Sequence, residues 1–331
     1  MKAYKRELTM LGVMVALAVI TSVLQPLFLG GDNIRNNIRH ISLISLYSLG
    51  EAMIIIAAGI DLSVGSLVCV TAIMTSFLAM NAGMGIGVAI TISILIPVVI
   101  GLVQGTIIAG LGIQPFVITL GFMQLMRGFA EVLTGGSDVG FQGKYPGFRA
   151  LGDGILLGLP TPFWIAAAAL LIVGFVMHRT LFGRYCYTIG SNTEAARLSG
   201  VPVVAVRMTT FVVGAALSAL AGLLYVAYLP SATPALGQGF EVYAITAAVL
   251  GGCALQGGRG TVFGVVIGAG IQQITYNAVN MVWESIGQGL VTGAVLLIAV
   301  IYDQVSENRR KLKEDIRRKA VSTQRALAQA G

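Results

Sequence analysis

Apolar residues run along this chain in blocks of about twenty, separated by short polar or Gly-rich connections. The blocks lack the one-in-two alternation of barrel strands. Only helices and closed barrels satisfy the backbone in lipid, so the pattern predicts membrane-spanning helices. The first block, 8–29, follows a basic start and is longer than the apolar core of a cleaved signal, with no clear small-residue cleavage site. Residues 30–40 are polar and are expected outside the membrane. A second block then runs to about residue 58 and holds Glu51. Gly59-Ile-Asp-Leu-Ser-Val-Gly65 reads as a tight turn in which Asp61 or Ser63 can cap the third helix, which ends at Met80. An ionisable group at membrane depth is also a candidate for function, but capping is the plainer role for Asp61. The fourth block, 86–110, is interrupted by Pro97 and carries Gly101-x-x-x-Gly105, a spacing that lets helices approach closely in lipid. Pro115 opens the fifth, where Arg127 and Glu131 stand one turn apart and are expected to pair.

The second half begins after a Gly-rich connection, 135–161, the longest expected outside the membrane. The sixth and seventh blocks, 162–177 and 203–229, flank a more polar stretch. Residues 230–239 lead into an apolar segment, 240–252, too short for an ordinary span and expected to be a broken or partly inserted helix. A turn at 251–260, containing Gly251, Gly252 and Arg259, precedes two further spans over 261–283 and 285–302. The total is about ten segments. Gly101-x-x-x-Gly105 is echoed by Gly264-x-x-x-Gly268, and Leu62-Ser-Val-Gly65 by Leu236-Gly-Gln-Gly239. Two five-segment halves must run in opposite directions, because an odd number of crossings reverses the chain, so an inverted repeat is expected.

Between the sixth and seventh blocks lies GRYCYTIGSNTEAARLSGVPVVAVR, residues 183–207. Ser191 with Glu194 three positions later fits a capping box, and Gly200 fits the position that ends a helix. Arg179, Arg184, Arg197 and Arg207 lie in or beside the stretch, so the positive-inside rule puts the 179–207 loop in the cytoplasm with both termini. A short capped helix there is either a loop that happens to be helical or a surface offered to a soluble partner.

Composition agrees with the pattern. The 331 residues are 56% hydrophobic and 11% charged, with 43 glycines and a mean hydropathy of +0.86. A soluble domain needs about 25% charged residues. The chain is therefore an all-α integral membrane protein: a transmembrane domain over 1–303 and a basic cytoplasmic tail over 304–331. The tail supplies +5 of the formal +7 and carries opposite charges at helical spacing, Glu307 with Lys311 and Glu314 with Arg318. No aromatic residue interleaves its charges, so anionic lipid headgroups suit it better than nucleic acid. Cys69, Cys186 and Cys253 are isolated and read as buried small side chains.

No catalytic constellation, metal-ligand spacing or phosphate-binding GxxxxGK[ST] loop occurs, so no cofactor is expected and energy must come from an ion gradient or another subunit. The carboxylates Glu51, Asp61, Glu241 and Glu284 form no obvious relay, which favours a nucleotide-hydrolysing partner. Five stretches then carry a resemblance: 59–65; Pro115-Phe-Val-Ile-Thr-Leu-Gly121 with Arg127-Gly128; Gly190-Ser-Asn-Thr-Glu-Ala-Ala-Arg-Leu-Ser-Gly200; Ala248-Val-Leu-Gly-Gly252; and Leu255-Gln-Gly-Gly-Arg-Gly260. In this order along nearly the whole chain they resemble the inner-membrane permease subunits of ribose-type carbohydrate ABC importers. The resemblance implies a bacterial inner-membrane permease of a neutral monosaccharide. It also implies a separate ABC ATPase subunit, a periplasmic sugar-binding protein and a second permease subunit, identical or not. It makes 190–200 the coupling helix, with Ser191, Asn192, Glu194, Ala195, Ala196 and Gly200 as its contact residues. A branched-chain amino-acid permease of similar architecture and an ion-coupled carrier are the other readings. Gln104, Gln272, Gln273, Tyr276 and Asn277 are candidates for a polar path; hydrogen bonding between helices is the plainer role for any one of them.

The charge asymmetry predicts that residue 194 is cytoplasmic and residue 144 external. With Cys69, Cys186 and Cys253 removed, Lys144→Cys should react with an impermeant thiol reagent in whole cells and Glu194→Cys should not. The opposite labelling pattern would invert the topology.

Overall fold

The computed structural model describes residues 4–141 and 144–283, with isolated positions between 289 and 308. Twelve α-helices occur among the described residues. α1 is Tyr4–Leu24, followed by a 3-10 turn at Pro26–Leu29; α2 is Gly31–Ile56, α3 Val64–Met80, α4 Ile86–Leu111 and α5 Pro115–Thr134. α6 is Pro146–Asp153, α7 Thr161–Arg179, α8 Leu181–Ser191 and α9 Thr193–Leu198. α10 is Val203–Tyr228, α11 Phe240–Leu250 and α12 Val262–Trp283. Among the described residues, seven helices are long and apolar enough to cross a membrane, and α3 and α11 are shorter apolar helices. The protein is an all-α membrane protein. The expected tenth segment, 285–302, and the tail from 304 lie outside the described residues except at those isolated positions.

α2, α3 and α10 form the interior. α10 packs most extensively on α4 and also on α2 and α3, while α11 and α12 pack on each other and on α2. α1 and α5 are the least buried long helices. Glycine fixes the separations. A Cβ on Gly50 of α2 would lie 2.7 Å from the Gly214 Cα of α10, and one on Gly101 of α4 would lie 2.7 Å from the Ala215 Cβ. One on Gly105 would reach the Met208 Cα at 2.8 Å, so the Gly101/Gly105 pair does bring α4 against α10. In α12, Gly264 and Gly268 lie against the backbone of Gly251 and Ala247. The two turns matched in sequence meet: Gly65 at the start of α3 and Gly237 before α11 touch backbone to backbone.

Three local expectations are corrected. Residues 30–40 are not a connection between spans: Gly30 caps α2, and 31–40 are its first turns. Asn33, Asn37 and Arg39 have tertiary partners. Asn33 exchanges hydrogen bonds with Asn277 at 3.0 and 3.2 Å, and Asn37 accepts from the Gln273 amide at 3.1 Å. Arg39 donates to the Gly152 carbonyl at 3.1 Å and pairs with Asp153 at 3.3 Å. Pro97 does not interrupt α4, which continues through it. Arg127 does not pair with Glu131; it donates to the carbonyls of Pro234, at 3.0 Å, and Leu236, pinning the loop before α11. A guanidinium carries several donors in a fixed fork, so two carbonyls from one loop satisfy it as a single carboxylate would.

The crossing distances make a prediction. Gly50→Ala should force α2 and α10 apart, cost about 1–3 kcal/mol of stability through overpacking, and so lower the thermal midpoint in detergent. Gly110→Ala, where a Cβ meets nothing within 4 Å, should be neutral or stabilising.

Candidate functional site

Three polar constellations stand out. The first is α9 and its mount. Asn192, rather than Ser191, is the N-cap: its Oδ1 accepts from the Ala195 N–H at 2.9 Å. The Ser191 hydroxyl donates instead to the Tyr187 carbonyl at 2.8 Å. Glu194 does not reach back to close a capping box but pairs with Arg197 at 2.8 Å, both side chains exposed. That hydrogen bond and the carboxylate's charge raise the Arg197 pKa above its usual value. Gly200 ends the helix as expected. It sits at φ +79°, its N–H donates to the Arg197 carbonyl at 3.0 Å, and the Val201 N–H donates to the Ala196 carbonyl at 3.1 Å. Ala196 is fully buried and offers nothing to a partner, whereas Ala195 is exposed and Leu198 is 80% exposed.

The mount beneath α9 is made of backbone. At the end of α8, Gly190 lies against the Ile56 carbonyl of α2 and the Gly258 N–H of the 251–260 turn. The Gly258 N–H donates to the Ile56 carbonyl at 2.9 Å, and the Tyr187 hydroxyl donates to the Gly260 carbonyl at 2.9 Å. A Cβ on Gly258, at φ +71°, would fall 2.5 Å from the Ser191 Oγ. Within the turn, Gly252 is at φ +97°, and the Arg259 carbonyl accepts from the Ala254 N–H at 3.0 Å. Gly251 admits the backbone of α12 at Val265, 2.6 Å from where its Cβ would be. Three chain segments therefore meet at the foot of α9 with almost no side chain between them.

The second constellation is the turn between α2 and α3. Asp61 Oδ1 accepts from the Ser63 N–H at 2.7 Å and from its hydroxyl at 2.6 Å. Glu51 Oε1 accepts from the Asp61 N–H at 3.2 Å, and the Gln104 amide donates to the Ser63 Oγ at 3.0 Å. Asp61 thus shapes the approach to α3, while Ser63, the N-cap residue, makes no side-chain cap bond. Gly59 permits the turn by leaving room for Ile54, whose Cγ2 a Cβ would meet at 2.9 Å. Gln104 is engaged here and does not join the other path candidates.

Those candidates gather in the third constellation, a cavity of about 140 Å³ between α2, α10, α11 and α12. Gln272, Gln273 and Tyr276 of α12 line one side. Tyr47, Tyr225, Phe240 and Tyr243 line the other, with His40 and Ile44 completing the wall. The rings are in contact: Phe240 stacks on Tyr47 with centroids 5.3 Å apart and lies 5.2 Å from Tyr225. Tyr243 meets Tyr276 edge-on at 6.3 Å. Gln273 bonds to Asn37, but neither amide atom of the buried Gln272 has a hydrogen-bond partner among the described residues. An amide left so is costly, about 1–3 kcal/mol. Asn277 is held by Asn33 beside the cavity. The aromatic wall was not anticipated from sequence. Its residues sit inside apolar runs, and only the Phe240/Tyr243 spacing, one helical turn, hinted at a shared face.

A family model described as "Branched-chain amino acid transport system / permease component" matches residues 33–300. The ribose import permease protein RbsC of Escherichia coli (strain K12) is 37% identical over 306 residues, which are 91% of this chain and 95% of that protein. RbsC of Bacillus subtilis (strain 168) is 37% identical over 289 residues, 87% of this chain and 89% of that one. The L-arabinose transport system permease protein AraH of Escherichia coli (strain K12) is 36% identical over 303 residues, 91% and 92% of the two chains. No solved structure matches the chain. The helical membrane fold and these full-length similarities lead to one conclusion: the chain belongs to the branched-chain amino acid transport system / permease component family, among its ribose-type ABC permeases.

Proposed function

We propose that this chain is the membrane-spanning subunit of a binding-protein-dependent importer that carries a neutral monosaccharide across the bacterial inner membrane. The observation that carries the reading is similarity along nearly the full length to permeases named for ribose and L-arabinose. The chain makes and breaks no bonds. A separate ABC ATPase subunit supplies the energy, a periplasmic sugar-binding protein delivers the cargo, and a second permease subunit completes the membrane part.

In this reading, closure of the ATPase pair pushes on α9, whose exposed Ala195 and Leu198 form the docking face. The backbone mount at Gly190 and Gly258 hands the push to α2 and to the 251–260 turn, and the membrane halves rock between two accessible states. Neutrality of the cargo is supported by two cations of the bundle whose donors are already engaged. Arg39 is bound to Gly152 and Asp153, and Arg127 to the carbonyls of Pro234 and Leu236. A carboxylate or phosphate in transit would ordinarily require a cation along its path.

Proteoliposomes containing the permease, its ATPase and its binding protein should accumulate a neutral pentose on addition of ATP. Accumulation of a branched-chain amino acid, with no sugar carried or competing, would replace this reading by the amino-acid one. Leu198→Asp should lower ATP-driven uptake at least about tenfold and reduce co-purification of the ATPase, at an unchanged amount of permease in the membrane. Normal uptake with a normal yield of complex would remove α9 from the docking face.

A further inference from the structure

The connection that leads into α7 ends in a hairpin that is apolar where a water-facing hairpin is polar. Ile155–Leu156 pairs with Leu159–Pro160, and the Thr161 N–H closes the base by donating to the Gly154 carbonyl at 2.9 Å. The loop between them is Leu157-Gly158, at φ +51° and +81°. A two-residue hairpin loop with both residues at positive φ ordinarily opens with Asn, Asp or Gly, and a bulky residue there is strained. Leu157 takes that place and is 83% exposed, with Ile155 and Leu156 beside it 54% and 52% exposed. Residues 154–164 carry no charge.

A second observation fixes what this tip lies beside. The Trp164 indole N–H donates to the Leu156 carbonyl at 2.9 Å. Trp164 stands in the first turn of α7, at the head of an exposed stripe that continues through Ala168, Leu171, Ile172 and Phe175. These positions fall on one helical face, and every one of them is apolar. In a helix that crosses a membrane such a face lies against acyl chains, and Trp collects where that face meets the headgroups.

We infer that the 155–160 hairpin is a wedge in the membrane surface, with the Leu156–Leu157 tip seated between headgroups and acyl chains of the leaflet opposite α9. Its partner is lipid. The occupant follows from continuity: the tip is bonded to the end residue of the lipid-facing stripe of α7. A soluble partner that comes and goes would leave three aliphatic side chains in water at each departure, and transient docking surfaces are more polar than that. Elements that lie in the interface seat their apolar side chains about 5–10 Å deep. α6, immediately before the hairpin, is held to α2 by Arg39, which bonds Gly152 and Asp153, and to α10 where Gly152 meets the backbone at Tyr228. Lipid contact at the tip therefore ties this side of α2 and α10 to the level of the bilayer surface.

The test places a nitrobenzoxadiazole dye on Leu157→Cys, in a full-length chain with Cys69, Cys186 and Cys253 replaced, reconstituted in phosphatidylcholine vesicles. Emission should be blue-shifted and quenched by lipids spin-labelled near the headgroup. Iodide on both sides of the vesicles should quench it at least about fivefold less than the dye on free cysteine in water, as an interfacial depth requires. Leu156→Cys should behave alike and serves if Leu157→Cys fails to insert. Water-like emission with full iodide quenching would overturn the assignment. So would a blue shift that spin-labelled lipid leaves unquenched, which would mean a protein cover, or one that develops only on adding the periplasmic binding protein.

Discussion

Everything in this molecule depends on how closely two helices can approach when no water drives them together. In lipid the hydrophobic effect gives a helix no reason to prefer another helix over an acyl chain, so van der Waals contact and interhelical hydrogen bonds decide. Gly50 with Gly214 and Gly101 with Ala215 bring α10 against α2 and α4 at separations that a Cβ would forbid. The crossings on α10 hold α2 in place, and α2 in turn supplies Glu51 to the polar turn, Ile56 to the mount of α9, and His40, Ile44 and Tyr47 to the cavity. One buried helix therefore takes part in all three constellations.

Much of this was legible along the chain. Apart from α2, whose first ten residues were read as a connection, the apolar blocks located the long helices to within a turn or so, because a segment that spans lipid must be both long enough and apolar throughout. The shortness of 240–252 announced α11, and Gly200 marked the end of α9. The failures share a cause. Asn33, Asn37 and Arg39 look like loop residues until their partners at Asn277, Gln273 and Asp153 come into view, and nothing local reveals those partners. The same holds for Arg127, whose neighbour Glu131 was the obvious mate in sequence while the Pro234 and Leu236 carbonyls were the ones in space.

Within the candidate sites, residue type was read well and residue role less well. Gln104 and Gln272 are chemically identical amides in apolar helices, yet one is bonded to Ser63 and the other is open to a cavity. At α9, Asn192 displaced Ser191 as the cap because the α8 helix runs one residue further than a loop reading allows, engaging the Ser191 hydroxyl with its own preceding turn. The same advance turned Ala196 inward and left Leu198 outward.

The mount of α9 has a mechanical consequence. A side chain interposed between two moving bodies acts as a damper: it can hop between staggered wells and absorb a displacement of an ångström or more. Peptide planes have no such freedom. Where Gly190, Ile56 and Gly258 meet, the contact is peptide plane against peptide plane, with no side chain between them to change rotamer. A displacement of α9 would therefore pass to α2 and to the 251–260 turn through main-chain contact, with no rotamer in between to take it up.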